Sequence, residues 1–442
     1  MLRMKDNIVI DNPYVQPALL LEHIQSMRDG SLSLSDMLDT YEARFSAIEP
    51  HIQSFVPEDN RFVRLRQDAH QLEQLYPDLT SRPPLYGVLV GIKDIFHVEG
   101  FETRAGTQVP SALFAGEEAT IVSQLKQAGA LIVGKTITAE FAYYEPGPTR
   151  NPHNIEHTPG GSSSGSAASV ASGLVHLATG TQTVGSVIRP AAFCGIVGYK
   201  PSYDRIDTTG IVYFSPSVDH VGLFTQDVTG MQQVASLVVN DWDNTIKPTQ
   251  LPILAVPEGT YLQQSTALDA FEIQVTKLEN AGYTIKRIPF IDDMDNISHF
   301  HEDLIAYEFA QQHADRFTEH REKYRPRTAW LIEYGQSISE ERRNAGRDNC
   351  LILRDRLHRL MHDNQIDLWI CPSAPNVAPE GIHSTGNSIM NLLWTHSGLP
   401  CLTIPAGKGN KDLPLGLQLC AQFGNDEALL AWAQHIESVV AD

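Results

Sequence analysis

An α/β layered fold is what this chain of 442 residues predicts, and three observations carry the prediction. Short β-branched runs alternate with helix-periodic stretches along the whole length, the pattern of strands and helices packed in layers. At 42% hydrophobic and 19% charged residues the composition supplies an ample core. No Gly-, Pro- or Ser-rich linker interrupts the alternation, so residues 1–442 read as one large domain.

Charge and cysteine usage narrow the class of function. Acidic residues outnumber basic ones 53 to 33, for a net charge of −20. Direct nucleic-acid binding needs clustered Lys and Arg on the phosphates and is not expected. Cys194, Cys350, Cys371, Cys401 and Cys420 are odd in number, scattered and never in C-x-x-C spacing, which fits a reduced, cytoplasmic protein. The opening MLRMKDNIVIDN has no apolar leader region, and no run reaches the ~18 apolar residues of a spanning helix, so no membrane association is expected. His299-Phe300-His301 is an H-x-H pair with no H-E-x-x-H or Cys/His cluster beside it. It reads as solvated helix histidines, and neither a metal nor a cofactor is expected.

The elements follow in order. Residues 1–80 read as a helical N-terminal cover. Within it Ser33-Leu34-Ser35-Asp36 offers N-cap chemistry, and Met37, Tyr41, Phe45 and Ile48 recur on one helical face. Phe62–Tyr76 is polar and helical. Val88–Ile92 is a buried strand by its β-branched content, with Lys93 and Asp94 at its end. A lysine there either reaches for water or sits in a dry pocket, where desolvation lowers its pKa until it can act as a base. Thr120–Lys135 reads as helix, glycine turn, then strand Ala130–Val133. Gly129–Thr136 satisfies the phosphate-loop pattern G-x-x-x-x-G-K-[ST], but helix precedes it and the residues between its glycines are themselves the strand. A nucleotide cradle is therefore not expected. Thr138–Tyr144 is a short helical piece and Thr149–Pro159 is irregular. Ser217–Val228 reads as a loop feeding a helix, Leu251–Val256 as a strand, Ala267–Gly282 as an amphipathic helix and Tyr283–Ile288 as a strand. Residues 296–362 are helical and highly charged, a helical insertion or lid over the core. Strands Leu368–Cys371 and Leu399–Ala406, the hairpin-like neighbour Leu415–Leu419 and a helix over Glu427–Val439 complete the chain.

Gly160–Pro201 gathers Gly, Ser and Ala densely, yet it carries the apolar anchors Val170, Leu174, Val175, Leu177, Val184, Val187, Ile188 and Phe193. A flexible linker lacks such anchors, so the segment is built for close packing with its serines among backbone N–H groups. Gly161–Gly165 matches G-x-S-x-G with Ser163 central. That elbow needs a strand leading straight into it, and Thr149–Pro159 is not one. A Ser–Lys enzyme is the other route to an activated nucleophile. Gly185-Ser186 would present a hydroxyl just past a run of small residues, and the N–H groups from Thr183 through Val184 and Gly185 to Ser186 could converge on an oxyanion. Loss of one such donor typically costs ~3 kcal/mol in the transition state.

The segments Gly91-Ile92-Lys93-Asp94, Gly160-Gly161-Ser162-Ser163-Ser164-Gly165-Ser166, and Gly180–Ser186 running into Pro190–Gly195 resemble the amidase signature family, with weaker similarity at Leu399-Pro400 and Leu413–Leu419. The resemblance implies a large mixed, mostly parallel-containing twisted sheet covered by helices on both faces. It implies Ser186 as nucleophile, Ser162 as bridging serine on a cis Gly161–Ser162 peptide, and Lys93 as base. Gly160, Gly161, Thr183, Val184 and Gly185 fall at oxyanion or substrate-binding positions. The chain departs from the commonest family wording with Gln182 for Asp, Val184 for Gly, and Ile188 where Arg is expected. Arg189, one place later, either clamps a substrate carboxylate or pairs with a buried acid and holds the turn. Tyr143, Tyr307, Asn391 and Trp394 are candidates for the pocket wall.

What the resemblance implies is an amidohydrolase that cleaves a linear carboxamide, a small molecule that can bear a carboxylate, through a serine acyl-enzyme with release of ammonia or amine. The alternative is the glutaminase subunit of a tRNA-dependent amidotransferase. Both a homodimer and a complex with a small partner subunit fit these expectations.

Overall fold

A computed structural model describes residues 12–441. Residues 1–11 of the N-terminal cover, and with them nearly all of the stretch that lacks a leader pattern, lie outside the described residues. The cover consists of α1 (Leu20–Arg28), α2 (Leu34–Ile52) and α3 (Arg61–Leu75). Ser33 caps α2, its Oγ accepting from Asp36 N at 3.0 Å. Met37, Tyr41 and Ile48 are buried on the inner face of α2, with Phe45 partly buried beside them.

The central chain then weaves strands and helices. In order come β1 (Leu89–Lys93), α4 (Thr120–Gln127), β2 (Leu131–Thr136), α5 (Ser164–Ala171), β3 (Leu177–Gln182), α6 (Ile188–Cys194), β4 (Val197–Lys200), β5 (His220–Thr225), α7 (Val228–Val238), β6 (Leu254–Glu258), α8 (Leu268–Asn280) and β7 (Ile285–Pro289). Three helices follow, α9 (Met294–His320), α10 (Pro326–Gln336) and α11 (Glu340–Asp363). The chain closes through β8 (Leu368–Pro372), α12 (Ile389–His396), β9 (Cys401–Lys408), β10 (Pro414–Cys420) and α13 (Asp426–Val440). Strand β2 occupies the phosphate-loop look-alike, so its side chains alternate across a buried strand rather than lining a loop.

All ten strands join one mixed sheet in the order β2-β1-β3-β5-β4-β9-β10-β8-β6-β7. Its two ends are parallel, β2-β1-β3 and β8-β6-β7, because helical crossovers such as α4 and α8 return the chain in the same direction. The middle is antiparallel, and the β9–β10 hairpin lies there. Alternation along each strand feeds two apolar layers. Leu368 and Ile370 of β8 join Leu417 and Leu419 of β10 in one layer with α4, α7, α8 and α13. Trp369 and Cys371 face the opposite way, toward Cys420 and the α12 residues Met390, Leu393 and Trp394. On that second side, α2, α3 and α5 pack over the β1 end of the sheet.

One stretch differs from its expected form, and β3, β4, α5, α6 and α12 lie where no element was expected. Ser217–Val228 is not a loop into a helix but contains β5, buried along its length between β3 and β4. His220 and Gly222 interrupt the apolar run, so strand propensity is weak, and pairing on both edges decides the outcome. Helix α12 gave no periodic signal because nearly every side chain of Ile389–His396 is buried, leaving no polar face to mark a period.

The seat of α5 is set by backbone contact. Gly165 N donates to Ile137 O at 2.9 Å, and a Cβ on Gly165 would stand 2.1 Å from Ser54 O and 2.4 Å from Ile137 N. Because backbone cannot rotate away, Gly165→Ala is expected to destabilise the fold by about 3 kcal/mol, measured as a fall in the urea midpoint at unchanged m-value.

Candidate active site

Strand β1 ends by pointing Lys93 into the space between the sheet and α5. The side chain is 0% exposed. Its Nζ lies 2.8 Å from Ser162 Oγ and 2.7 Å from Thr181 Oγ1. These are its side-chain partners, and neither is a carboxylate. Burial lowers the Lys93 pKa to about 7, against an opposing pull from the charge of Asp219. Near neutral pH a large fraction is therefore the free amine, which can donate to Thr181 while its lone pair accepts from Ser162.

The neighbouring serines separate by what they bond. The Gly161–Ser162 peptide is cis. Ser163 Oγ contacts Thr181 O at 3.4 Å, Ser164 Oγ donates to Gly160 O at 2.8 Å and Ser166 Oγ to Thr179 O at 2.8 Å. These three hydroxyls are occupied by backbone, and irregular chain rather than a strand leads into Ser163. Ser162 alone of this group meets the lysine.

Ser186 lies in the loop between β3 and α6, and its Oγ makes no hydrogen bond among the described residues. It opens onto a narrow cavity of about 20 Å³ that is also lined by Ser162, Thr183, Val184, Gly185 and Arg189. The loop is tied from behind. Gln182 Oε1 accepts from Val187 N at 2.8 Å and Ile188 N at 2.9 Å, while its Nε2 donates to Thr395 Oγ1 at 2.9 Å. Thr395 Oγ1 in turn donates to Val184 O at 2.6 Å. Gly185 has no room for a side chain, since a Cβ would stand 2.4 Å from Asn391 Oδ1. The N–H groups of Val184, Gly185 and Ser186 make no hydrogen bond among the described residues, which leaves them free to meet a developing negative charge.

Arg189, 1% exposed, also lines the cavity. It has no carboxylate partner among the described residues, so the expected alternative of a buried acid does not apply. Its guanidinium instead donates to Gly161 O at 2.5 Å, Gly386 O at 3.1 Å and Thr385 Oγ1 at 3.2 Å. Its Nε has no partner among the described residues, and the Tyr144 hydroxyl lies beside the group.

The remaining wall comes from Tyr143, Tyr144, Phe214, Ile305 and Ser388. Of the four wall candidates only Tyr143 lines the cavity. Trp394 donates to Tyr261 OH at 2.7 Å inside the second apolar layer, Asn391 donates to Ser373 O and Gln418 Oε1 behind Gly185, and the Tyr307 ring lies against the Arg343 guanidinium. Thr181, Tyr144, Ser388, Thr395 and Asp219 belong to the site and were not singled out in the sequence. Thr181 at least stands one residue before Gln182 in the conspicuous Thr179–Thr183 run. His299 is exposed, as expected, but His301 is not solvated: its ring is 2% exposed, with Nδ1 3.0 Å from His396 Nδ1. Side chains from α12 approach it across the helix interface, and no pattern local to α9 marks that. Among the described residues no His, Cys, Asp and Glu group could hold a metal ion.

The family model described as Amidase matches residues 36–430. A crystal structure of an amidase superposes with a TM-score of 0.87 at 27% identity, covering 96% of this chain and 100% of that one. Native peptide amidase from Stenotrophomonas maltophilia shares the fold with a TM-score of 0.82 at 22% identity, covering 96% of this chain and 97% of that one. A glutamyl-tRNA(Gln) amidotransferase subunit from Prochlorococcus marinus (strain MIT 9303) is 29% identical, covering 95% of this chain and 96% of its own length.

The buried lysine leaves a signature in stability. Unfolded, Lys93 titrates near its ordinary 10.5; folded, near 7. Between these values the unfolded chain holds the extra proton, so the stability gap between Lys93→Met and the parent is expected to shift in the parent's favour as pH rises through that window. Paired urea titrations across the window measure it, and a gap that stays constant with pH contradicts the assignment.

Proposed function

The chain belongs to the amidase family, and on that premise we propose that it is an amidohydrolase which cleaves a linear carboxamide through a serine acyl-enzyme. The observation that carries this reading is a dry lysine with no acid partner, bonded to Ser162 under a cavity that Ser186 lines. Neutral Lys93 takes the proton of Ser162 as Ser162 takes that of Ser186. The Ser186 Oγ–carbon bond forms at the amide carbonyl, and the oxyanion rests on the N–H groups of the Val184–Ser186 turn. Collapse expels the nitrogen, which receives the proton back through Ser162 and leaves as ammonia or amine. Water then cleaves the ester by the same relay, regenerating Ser186 and releasing the acid.

The cavity has room for about one water, so its walls rather than its volume bear on the substrate. Tyr143, Phe214, Ile305 and Val184 offer apolar walls, and Arg189 supplies a buried cation with one unused N–H. That pairing suits a small amide with a carboxylate at its far end.

A second reading has its own support, since relatives aligned over nearly the whole chain are named as glutamyl-tRNA(Gln) amidotransferase subunits. In that case the same relay would act on glutamine, and activity would appear only with a partner protein.

Ammonia release from paired amides, each with and without a free carboxylate, separates the readings. Ser186→Ala is expected to lower kcat by about 10⁴-fold or more. Activity is expected to rise as pH passes about 7, where Lys93 loses its proton. Arg189→Lys is expected to raise KM about tenfold more for carboxylated than for neutral amides, and an equal loss on both dismisses the clamp. No release from any member of the series favours the partner-dependent glutaminase.

A further inference from the structure

Beside the loop that carries Ser186 lies a buried acid that the proposed relay does not use. Asp219 immediately precedes β5 and is 3% exposed. The β3–β5 register pairs Gln182 with His220, which sets Asp219 across from Thr183. Thr183 Oγ1 donates to its Oδ1 at 2.5 Å, and the N–H groups of Phe214 and Ser215 donate to its Oδ2 at 2.8 and 2.9 Å. Thr183 and Phe214 both line the cavity, so one carboxylate joins two of its walls.

We propose that Asp219 is a positioning residue for this chemistry, its carboxylate setting how strongly Lys93 holds a proton and therefore how good a base the relay has. The inference rests on the Ser186–Ser162–Lys93 reading above. No cation is in salt-bridge contact with Asp219 among the described residues. Lys93 Nζ bonds Thr181 at 2.7 Å, and Asp219 is bonded by Thr183 two residues further along the same chain; the charge of Asp219 opposes the effect of burial on Lys93. Other ionisable groups lie near it, and the cations Lys200 and Arg354 act on the adjacent His220. Glu308 on α9 repels it, but that carboxylate is occupied by Ser215 Oγ at 2.6 Å and by Ser217 N at 3.0 Å. His301 on α9 and the adjacent His220 on β5 are both held neutral by burial. The Tyr203 hydroxyl is pushed up to about 12 by its own burial and stays neutral.

Burial raises Asp219 to about 6, and the Thr183 hydroxyl and the two N–H donors pull against that rise. The carboxylate is therefore ionised where Lys93 titrates. A negative charge beside the loop stabilises the ammonium that forms when Lys93 takes the relay proton. Without it Lys93 stays neutral to lower pH but is a weaker base. Two effects with different signs follow. The acid limb of the pH profile moves down, and the plateau rate falls. A carboxylate that merely held the loop together would lower the plateau and leave the limb where it was.

The test avoids dependence on the unknown amide. Phenylmethanesulfonyl fluoride sulfonylates an activated serine: the Oγ–S bond forms, fluoride leaves, and the hydroxyl proton passes through Ser162 to Lys93. The labelling rate of the full chain is followed by intact mass across the neutral pH range, with Ser186→Ala as the blank. The parent is expected to show an acid limb near 7. Asp219→Asn, folded by circular dichroism, is expected to move that limb down by about one pH unit with a lower plateau, and a limb that does not move overturns the proposal.

Should Asp219→Asn fail to fold, Thr183→Val and Thr183→Ser decide. The first removes the hydroxyl that keeps Asp219 ionised and is expected to lower the limb, while the second keeps it and holds the parent position. Identical limbs in both overturn the proposal. A parent that labels no faster than the Ser186→Ala blank overturns the relay itself, an outcome that no variant is needed to recognise.

Discussion

Taking a lysine out of water without giving it a carboxylate is the constraint around which this molecule is arranged. The contrast lies within one strand pair. Lys135 on β2 is buried like Lys93, but it lies 2.9 Å from Asp94, which follows Lys93 directly in the chain. Lys200, buried at the end of β4, donates to the carbonyls of Pro201 and Leu399. Those two amines are held by acceptors. Lys93 meets only hydroxyls, each able to donate as readily as accept, so the neutral amine is as well satisfied as the ammonium. Desolvation then outweighs the opposing charge of Asp219 and lowers its titration to about 7.

Keeping that lysine dry dictates the small residues around it. Helix α5 can pack against the chain that follows β2 only because its N-terminal turn meets backbone where side chains would ordinarily stand, and Gly165 is the point of contact. The same economy of space places Ser162 on the lysine and leaves Ser163, Ser164 and Ser166 to satisfy nearby carbonyls. The loop that carries Ser186 is then tied by side chains rather than by a ladder. Gln182 gathers the N–H groups of Val187 and Ile188, and its own amide is anchored on Thr395. Where the family wording has a carboxylate at position 182, the neutral amide both accepts and donates, which lets α12 be stitched to the loop through one residue.

The helical stretch 296–362 serves the site from outside the sheet. Phe309 on α9 stacks on Phe214 at 4.5 Å between ring centroids, and Ile305 reaches the cavity one turn earlier. Part of the cavity wall is thus carried by an element whose outer face is charged and solvated, while its inner face is largely apolar with His301, Asp303 and His313 buried in it.

Local chemistry made much of this legible. The N-cap at Ser33, the helix-strand units around Gly129 and Gly282, and the hairpin of β9 and β10 follow from spacing and turn residues that act over a few positions. The same holds for rejecting the phosphate-loop look-alike, since branched residues between its glycines favour a strand whatever surrounds them. Lys93, Ser162 and Ser186 were visible as dense small-residue motifs of recognisable wording. What the chain could not show locally is what burial and pairing decide. Strand β5 exists because β3 and β4 need partners, α12 because its residues are buried nearly all round, and His301 is dry because α12 packs over it. Asp219 has no motif at all, being brought to Thr183 by strand register across 36 residues of sequence. Arg189 could be named from the sequence, but whether it met an acid, a carbonyl or a ligand depended on which groups the fold set around it. Electrostatic environment is a sum over neighbours in space, and only the tertiary structure chooses those neighbours.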